Sequence, residues 1–371
     1  MEKRFSYKTL SSVTQIPKQE WDMIFGDIPQ SYDFYRAIED GRLQGFSFSY
    51  LLIYRDSSLL LIAPLFCADF NFDIFIDGKL KKWILALRKV FPRFLIMKTL
   101  FCGSPIAEHG ILGIKQEAAD RSALILALGK FLQEVCRSQK ASLVVFKDFL
   151  KEDIETLRPL EKKGFVLSQS FSSVVIDLNF KSTDEYFMSL GHDTRKSLMR
   201  KLREAQEAES LEVKVVSNIE NIIDEAYALY LNTYNAGTVH FEKLTKDFFI
   251  ACGRNMPEQA KFFLYYVNGK LAEFNLCFAY KDLLIDEFIG FDYEIAHKYH
   301  LYFYSWCYNI DWCINHSIHF YQVGQTDYSP KARLGGRMIS LFAYGKHRNF
   351  LLNLILGSAS RILMPIEDVQ K

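Results

Sequence analysis

Residues 261–300 read KFFLYYVNGKLAEFNLCFAYKDLLIDEFIGFDYEIAHKYH, and residues 319–336 read HFYQVGQTDYSPKARLGG. The first stretch opens with two apolar, aromatic-rich runs linked as a hairpin, followed by a third strand over Leu283–Gly290. Between the two stretches lies a helix, Tyr299–His316, whose only formal charge apart from its terminal histidines is Asp311. Such a helix is buried on several sides, as a sheet-covering helix is. The strand His319–Gly324 then runs into a polar turn. Three antiparallel strands, a covering helix and a further strand make a mixed, mostly antiparallel sheet, and the fold class is α+β.

Working outward, 371 residues exceed what one core usually serves. Two domains are expected, residues 1–170 and 171–371. Hydrophobic residues at 49% and charged residues at 24% are ordinary for a soluble chain. The 32 Phe and 20 Tyr point to large aromatic-packed cores. A net charge of +1 argues against a general nucleic-acid surface, so no DNA partner is expected.

No uncharged run reaches the roughly 20 residues that span a bilayer, and the N-terminus carries no apolar signal core. A cytoplasmic location is expected. The seven cysteines are scattered with no Cys-x-x-Cys pair, which fits reduced core thiols and no metal.

In the first half, Gln30–Gly41 is a helix, and Phe46–Arg55 and Ser58–Phe66 form a hairpin across Asp56-Ser57. Leu80–Val90, Gln116–Ser138 and Glu152–Lys163 are helical, with strands at Phe94–Phe101, Ser142–Phe146 and Phe165–Ser168. Phe171–Leu178 crosses to the second half. There Ser182-Thr-Asp-Glu185 is a capping box, Asp193–Glu209 a helix, and Leu211–Val216 a strand. Helices Ile219–Tyr234 and Leu244–Asn255 precede the core, and Asn349–Leu363 is a terminal helix.

Five groups of residues can carry chemistry. Asp286 and Glu287 interrupt an apolar strand, where a carboxylate is costly unless paired or protonated. Alternation sends them to opposite faces of the sheet. Burial would raise the pKa of either towards that of a general base for an amine; an edge carboxylate paired with a cation is the plain alternative. The start of the Tyr299–His316 helix presents free N–H groups, with His297, Lys298 and His300 beside it, an arrangement suited to a pyrophosphate. No glycine-rich phosphate loop accompanies it.

Gln325, Asp327, Tyr328, Lys331 and Arg333 crowd the turn after a strand, where ligands bind. Tyr328 is placed to protonate a leaving group, and Lys331 to hold a phosphate or acyl carbonyl. On the helix from Asp193, Arg195 lies beside the apolar stripe Leu198, Met199, Leu202 and Ala205, while Lys196, Arg200 and Arg203 face away. Arg195 is therefore either a clamp for an anionic acceptor group or a snorkelling side chain. His240 and the pair Glu108-His109 are lesser candidates. The apolar C-terminal stretch from Lys346 has the pattern of an interfacial membrane helix, with docking on its own domain as the alternative.

Three segments carry a resemblance: LGHDTRKSLMRKLR (190–203), GFDYEIA (290–296) and YSPKARLGG (328–336). Together they resemble the GNAT superfamily, and more closely its double-domain branch with the Fem-type peptidyltransferases and related N-acyltransferases. The likeness covers residues 171–345. It implies two tandem GNAT-like domains and transfer of an activated acyl group to a small-molecule or peptide amine. The donor it implies is acyl-CoA as co-substrate, or aminoacyl-tRNA as in the Fem enzymes; near-neutral charge favours acyl-CoA. In that scheme Asp286 or Glu287 is the base, Tyr328 and Lys331 serve the leaving group, and Arg195 orients the acceptor. A non-catalytic binding protein on the same fold is the remaining alternative.

Overall fold

The computed structural model describes residues 5–76, 78–118, 120–237, 241–325 and 328–363. In chain order the first elements are β1 (Phe5–Leu10), α1 (Lys18–Phe25), α2 (Tyr32–Asp40), β2 (Ser47–Arg55), β3 (Ser58–Asn71) and α3 (Gly78–Arg88). Next come β4 (Ile96–Cys102), β5 (Gly113–Ile114), α4 (Arg121–Ser138), β6 (Leu143–Leu150), α5 (Lys151–Leu157) and β7 (Val166–Gln169). The second half continues with β8 (Ser173–Asp177), α6 (Thr183–Ser189), α7 (His192–Ala205), β9 (Leu211–Val216), α8 (Ile223–Ala236) and α9 (Lys246–Asn255). Then follow β10 (Ala260–Val267), β11 (Lys270–Tyr280), β12 (Leu283–Phe291), α10 (Tyr293–Lys298) and α11 (Leu301–Asn315). The last elements are β13 (Phe320–Gln322), α12 (Tyr328–Arg333), β14 (Gly336–Ile339), β15 (Leu341–His347) and α13 (Phe350–Leu363).

Two units emerge, one holding the chain up to Tyr32, Gln44–Phe171 and everything from Ser340, the other Asp33–Leu43 and Ser172–Ile339. The division expected at residues 170 and 171 therefore needs correcting. Most of α2 belongs to the second unit, and β15 with α13 returns to the first. The reason is long-range pairing: β15 lies antiparallel to both β6 and β7. Local periodicity carries no trace of such a pairing.

Among the described residues the first unit has one sheet of strand order β1-β2-β3-β4-β6-β15-β7, with β5 added beside β3. The β2–β3 hairpin turns on Asp56 and Ser57, both in the left-handed region at φ 48° and 66°, as a tight two-residue turn requires. The apolar face of α4, including Leu124, Leu128, Leu132 and Val135, shares a core with Leu51, Ile53, Leu61 and Leu65 of the hairpin.

The second unit has a sheet of order β14-β8-β13-β12-β11-β10-β9. Phe263 and Tyr265 of β10, Cys277 of β11 and Leu284 of β12 share a core with Trp306, Cys307, Ile310 and Cys313 of α11. The alternate residues face α8 and α9, with Phe274 edge-on to Phe249 and Phe288 edge-on to Phe248. Gly290 is the closest approach on that side. A Cβ there would lie 2.4 Å from the Phe274 ring and 2.6 Å from the backbone of Tyr230, so α8 packs onto β12 only because this residue has no side chain.

Within this sheet β12 and β13 are parallel, yet they pair only over Leu283–Ile285 and Phe320–Gln322. β12 continues to Phe291. The chain after β13 instead stays with β8, through Val323 N–H to the Val174 carbonyl (2.9 Å) and Val174 N–H to the Gly324 carbonyl (3.2 Å). The two strands part beside Asp286.

Candidate functional site

Asp286 is the first residue of β12 beyond its last rung with β13. Its carboxylate accepts hydrogen bonds from Tyr321 Oη at 2.7 Å and from Asn275 Nδ2 at 3.3 and 3.4 Å. Burial raises its pKa above the ordinary carboxylate value, opposed by Tyr321, Asn275, the charge of Lys331 and the Cys277 thiol. The residue as a whole is half-buried.

Behind Tyr321 runs a polarised chain. Tyr265 Oη donates to Asn309 Oδ1 (2.6 Å), and Asn309 Nδ2 donates to Tyr321 Oη (3.0 Å). Tyr321 passes its proton towards Asp286. Every donor points the same way, which favours negative charge on the carboxylate. Burial and the neighbouring Asp286 hold the Tyr321 hydroxyl far above its usual pKa, so it stays a donor.

Four residues before Cys277, the register partner of Asp286, and on the same face of β11 stands a second carboxyl group. Glu273 of β11 is fully buried, and burial raises its pKa well above the ordinary value, with Ser305 opposing and Asp286 reinforcing the shift. Burial therefore favours the neutral form of this carboxyl group.

Glu287 is the extra residue of a bulge, sitting between the pairs Leu276↔Phe288 and Cys277↔Asp286. Burial raises the pKa of Cys252 on α9, reinforced by the Glu287 charge, and that of Cys313 on α11, reinforced by the Asp286 charge. The two acids therefore act on opposite faces of the sheet, and Asp286 is the one beside the parted strands.

The polar segment after β13 forms α12 rather than an open turn. Lys331 is buried to 6% exposure, and its charge opposes the effect of burial on the Asp286 carboxylate. Gly336 permits this: a Cβ there would stand 2.8 Å from the Lys331 carbonyl oxygen. Tyr328 points elsewhere, donating to the Ser172 carbonyl at 3.1 Å. Arg333 is exposed and Gln325 half-buried. Asp327 and His240 lie outside the described residues.

The expected pyrophosphate site at the start of the core helix is arranged differently. The helix is split, α10 ending at Lys298 and α11 starting at Leu301, with His300 between them at φ 50°. His300 Nε2 sits 2.7 Å from Glu204 Oε2 of α7, which places a carboxylate where an anion was expected. His297 packs against Tyr293, and Lys298 lies 5.0 Å from the Tyr299 ring. Arg195 reaches back to the Met188 carbonyl at 3.4 Å, over the end of α6.

In the first unit, burial lowers the pKa of His109, and Asp148, at φ 60°, is bound by Lys147 and Ser170. Among the described residues no cluster of His, Cys, Asp and Glu is arranged to hold a metal, and the seven cysteines are buried free thiols.

With the geometry in place, residues 12–333 match the model of the FemAB-like family, described as peptidoglycan biosynthesis/recognition. The chain belongs to the FemAB-like family. Solved structures similar to this FemAB-like chain include FemX, at a TM-score of 0.58 and 12% identity over 94% of this chain and 100% of that one. A tandem GNAT protein from the clavulanic acid biosynthesis pathway gives 0.55 and 10% over 93% and 99%. The C-terminal domain of a putative lysylphosphatidylglycerol synthetase from Agrobacterium fabrum gives 0.54 and 12% over 97% and 100%. At these identities the likeness shows the fold, a pair of GNAT-type sheets. No curated protein matches the chain.

Sequence reasoning missed Glu273, Asn275, Tyr321 and Asn309, and with them the chain of donors. Each is one polar residue in an apolar strand or helix. The available signal was Glu273-Phe-Asn275, whose period of two puts both side chains on the face that Cys277 shares with Asp286.

Proposed function

We propose that this FemAB-like protein is an aminoacyltransferase that moves an aminoacyl group from an aminoacyl-tRNA to the amine of a peptidoglycan-precursor peptide. Family membership over residues 12–333 supports the reaction class. The observation that supports the site is the chargeable Asp286 at the parting of β12 and β13, under the charge of buried Lys331.

In this reading the acceptor nitrogen attacks the aminoacyl carbonyl, forming the C–N bond as the ester C–O bond to the terminal ribose breaks. Asp286 takes the proton released from the nitrogen and returns it to the departing ribose oxygen, which leaves as the hydroxyl. The Lys331 ammonium stabilises the negative charge on the tetrahedral oxygen. Gln325, just beyond the parted strand, contacts the acceptor. Glu287 has no part at this face, and Tyr328 holds α12 in place.

An acyl-CoA donor is the second reading, suggested by the fold likeness to a tandem GNAT protein solved without AcCoA. Against it stands Glu204 at His300, since a carboxylate there repels a pyrophosphate. A donor panel separates the two. Radiolabelled aminoacyl-tRNAs, acetyl-CoA and long-chain acyl-CoA are each incubated with a precursor pentapeptide, and amide product is followed. Product from the tRNA esters alone is expected. Product from a thioester alone would replace the first reading by the second, and none from either would leave a binding protein.

A further inference from the structure

Residues 78–94 of the first unit read GKLKKWILALRKVFPRF, with six lysines and arginines and no acidic residue. α3 buries little of its apolar surface in the fold: Ile84 is buried, while Trp83 is 70% exposed, Val90 72% and Phe91 61%. Arg88 and Arg93 are tied to Asp73 and Asp69 at 2.7 and 2.8 Å. Lys79, Lys81, Lys82 and Lys89 form no ion pair among the described residues.

A second apolar surface leaves from the same end of the sheet. β3 ends at Asn71 opposite the start of β4 at Ile96, Thr99 of β4 pairs with Leu143 of β6, and Leu143 pairs with His347, the last residue of β15. α13 begins just past His347. Its first turns show Phe350 at 73% and Leu351 at 66% exposure, directly after Lys346 and Arg348. The far side of α13 packs on β7 and β15, with Val166 beside Gly357 and Leu356 beside Gly345.

We propose that this end of the first sheet docks onto an anionic lipid bilayer, with α3 as the principal contact. Exposed Trp, Phe, Val and Leu interleaved with lysine are the composition of a helix lying in the headgroup region. No described helix is long and apolar enough to cross a membrane, so the contact is peripheral. A second copy would set this uncompensated positive charge against itself, and protein interfaces are depleted in lysine. The proposal is independent of the transfer reaction, and the donor panel does not bear on it.

The test is sedimentation of the whole chain with vesicles of phosphatidylcholine alone or with a quarter phosphatidylglycerol. Trp21 and Trp306 are buried and Trp312 is half-buried, so quenching that is lost with Trp83 reports insertion of α3 when the acyl chains carry bromine. Binding to anionic vesicles only, weakening with salt, and quenching that disappears in Trp83→Phe are expected. The triple variant Lys79→Gln, Lys81→Gln, Lys82→Gln should bind on the order of a hundredfold more weakly. Because these side chains are on the surface, an unchanged melting curve should accompany that loss. Equal binding to both vesicle types, no binding to anionic ones, undiminished binding by the triple variant, or a lipid-free dimer that buries Trp83 would each overturn the proposal.

Discussion

Tyr321 donates to Oδ2 of Asp286 at 2.7 Å, one residue past the last rung that joins β12 to β13. The hydrogen bond favours the charged carboxylate against the effect of burial, and the proposed transfer needs such a base at the parted strands.

If Asp286 is the base, Asp286→Asn should lower kcat/KM by about a hundredfold or more with the fold intact. The base works deprotonated, so activity should fall as pH drops through its raised pKa. Tyr321→Phe removes a donor that favours the charged form. The pKa then rises further, and the acid limb of the kcat/KM profile moves to higher pH. A limb that stays or moves lower would contradict the role given to Tyr321.

Glu273 gives a stability prediction with a definite sign. Its folded pKa is raised, so the folded state holds a proton that the unfolded state releases above a pKa of about 4.3. The stability of the native chain therefore declines as pH rises between the unfolded and folded values, by about 1.4 kcal/mol per pH unit at most. Glu273→Gln cannot ionise and should lack this slope. Urea unfolding at pH 5.5 and 7.5 should show the variant gaining on the native chain at the higher pH; a constant difference would mean Glu273 is charged in the fold.

Lys331 and Arg333 are two residues apart on α12 but differ in burial. Lys331→Met should cost about a hundredfold or more in kcat, as removal of an oxyanion donor does. Arg333→Ala should stay within a few fold. Equal effects would mean that the helix, and not the buried ammonium, is what matters.

Tyr328 tests a position where sequence and structure point apart. With its hydroxyl donated to the Ser172 carbonyl, Tyr328→Phe should lower unfolding free energy by about 1 kcal/mol and leave kcat nearly unchanged. A large fall in kcat with no change in stability would restore it as the acid at the leaving group.

The elements were largely legible because they rest on local signals. The Asp56-Ser57 turn and the Ser182 cap, which accepts from Glu185 N–H at 3.2 Å, both lie where local chemistry places them. Asp286 and Lys331 stood out as charges next to apolar runs. What the sequence hid is set by partners far along the chain. The return of β15 to β6, the pairing of His300 with Glu204 and the use of the Tyr328 hydroxyl by Ser172 each join residues from separate elements. The bulge at Glu287 was hidden differently, since strand alternation gives the right faces without revealing the extra residue.

The most direct test is single-turnover transfer of a radiolabelled aminoacyl group from tRNA to a precursor pentapeptide, comparing the native chain with Asp286→Asn by mass spectrometry of the product. A new amide formed by the native chain and lost with the Asp286 carboxylate is expected. The same amide formed at the same rate by both proteins would contradict the placement of the chemistry at the parted strands.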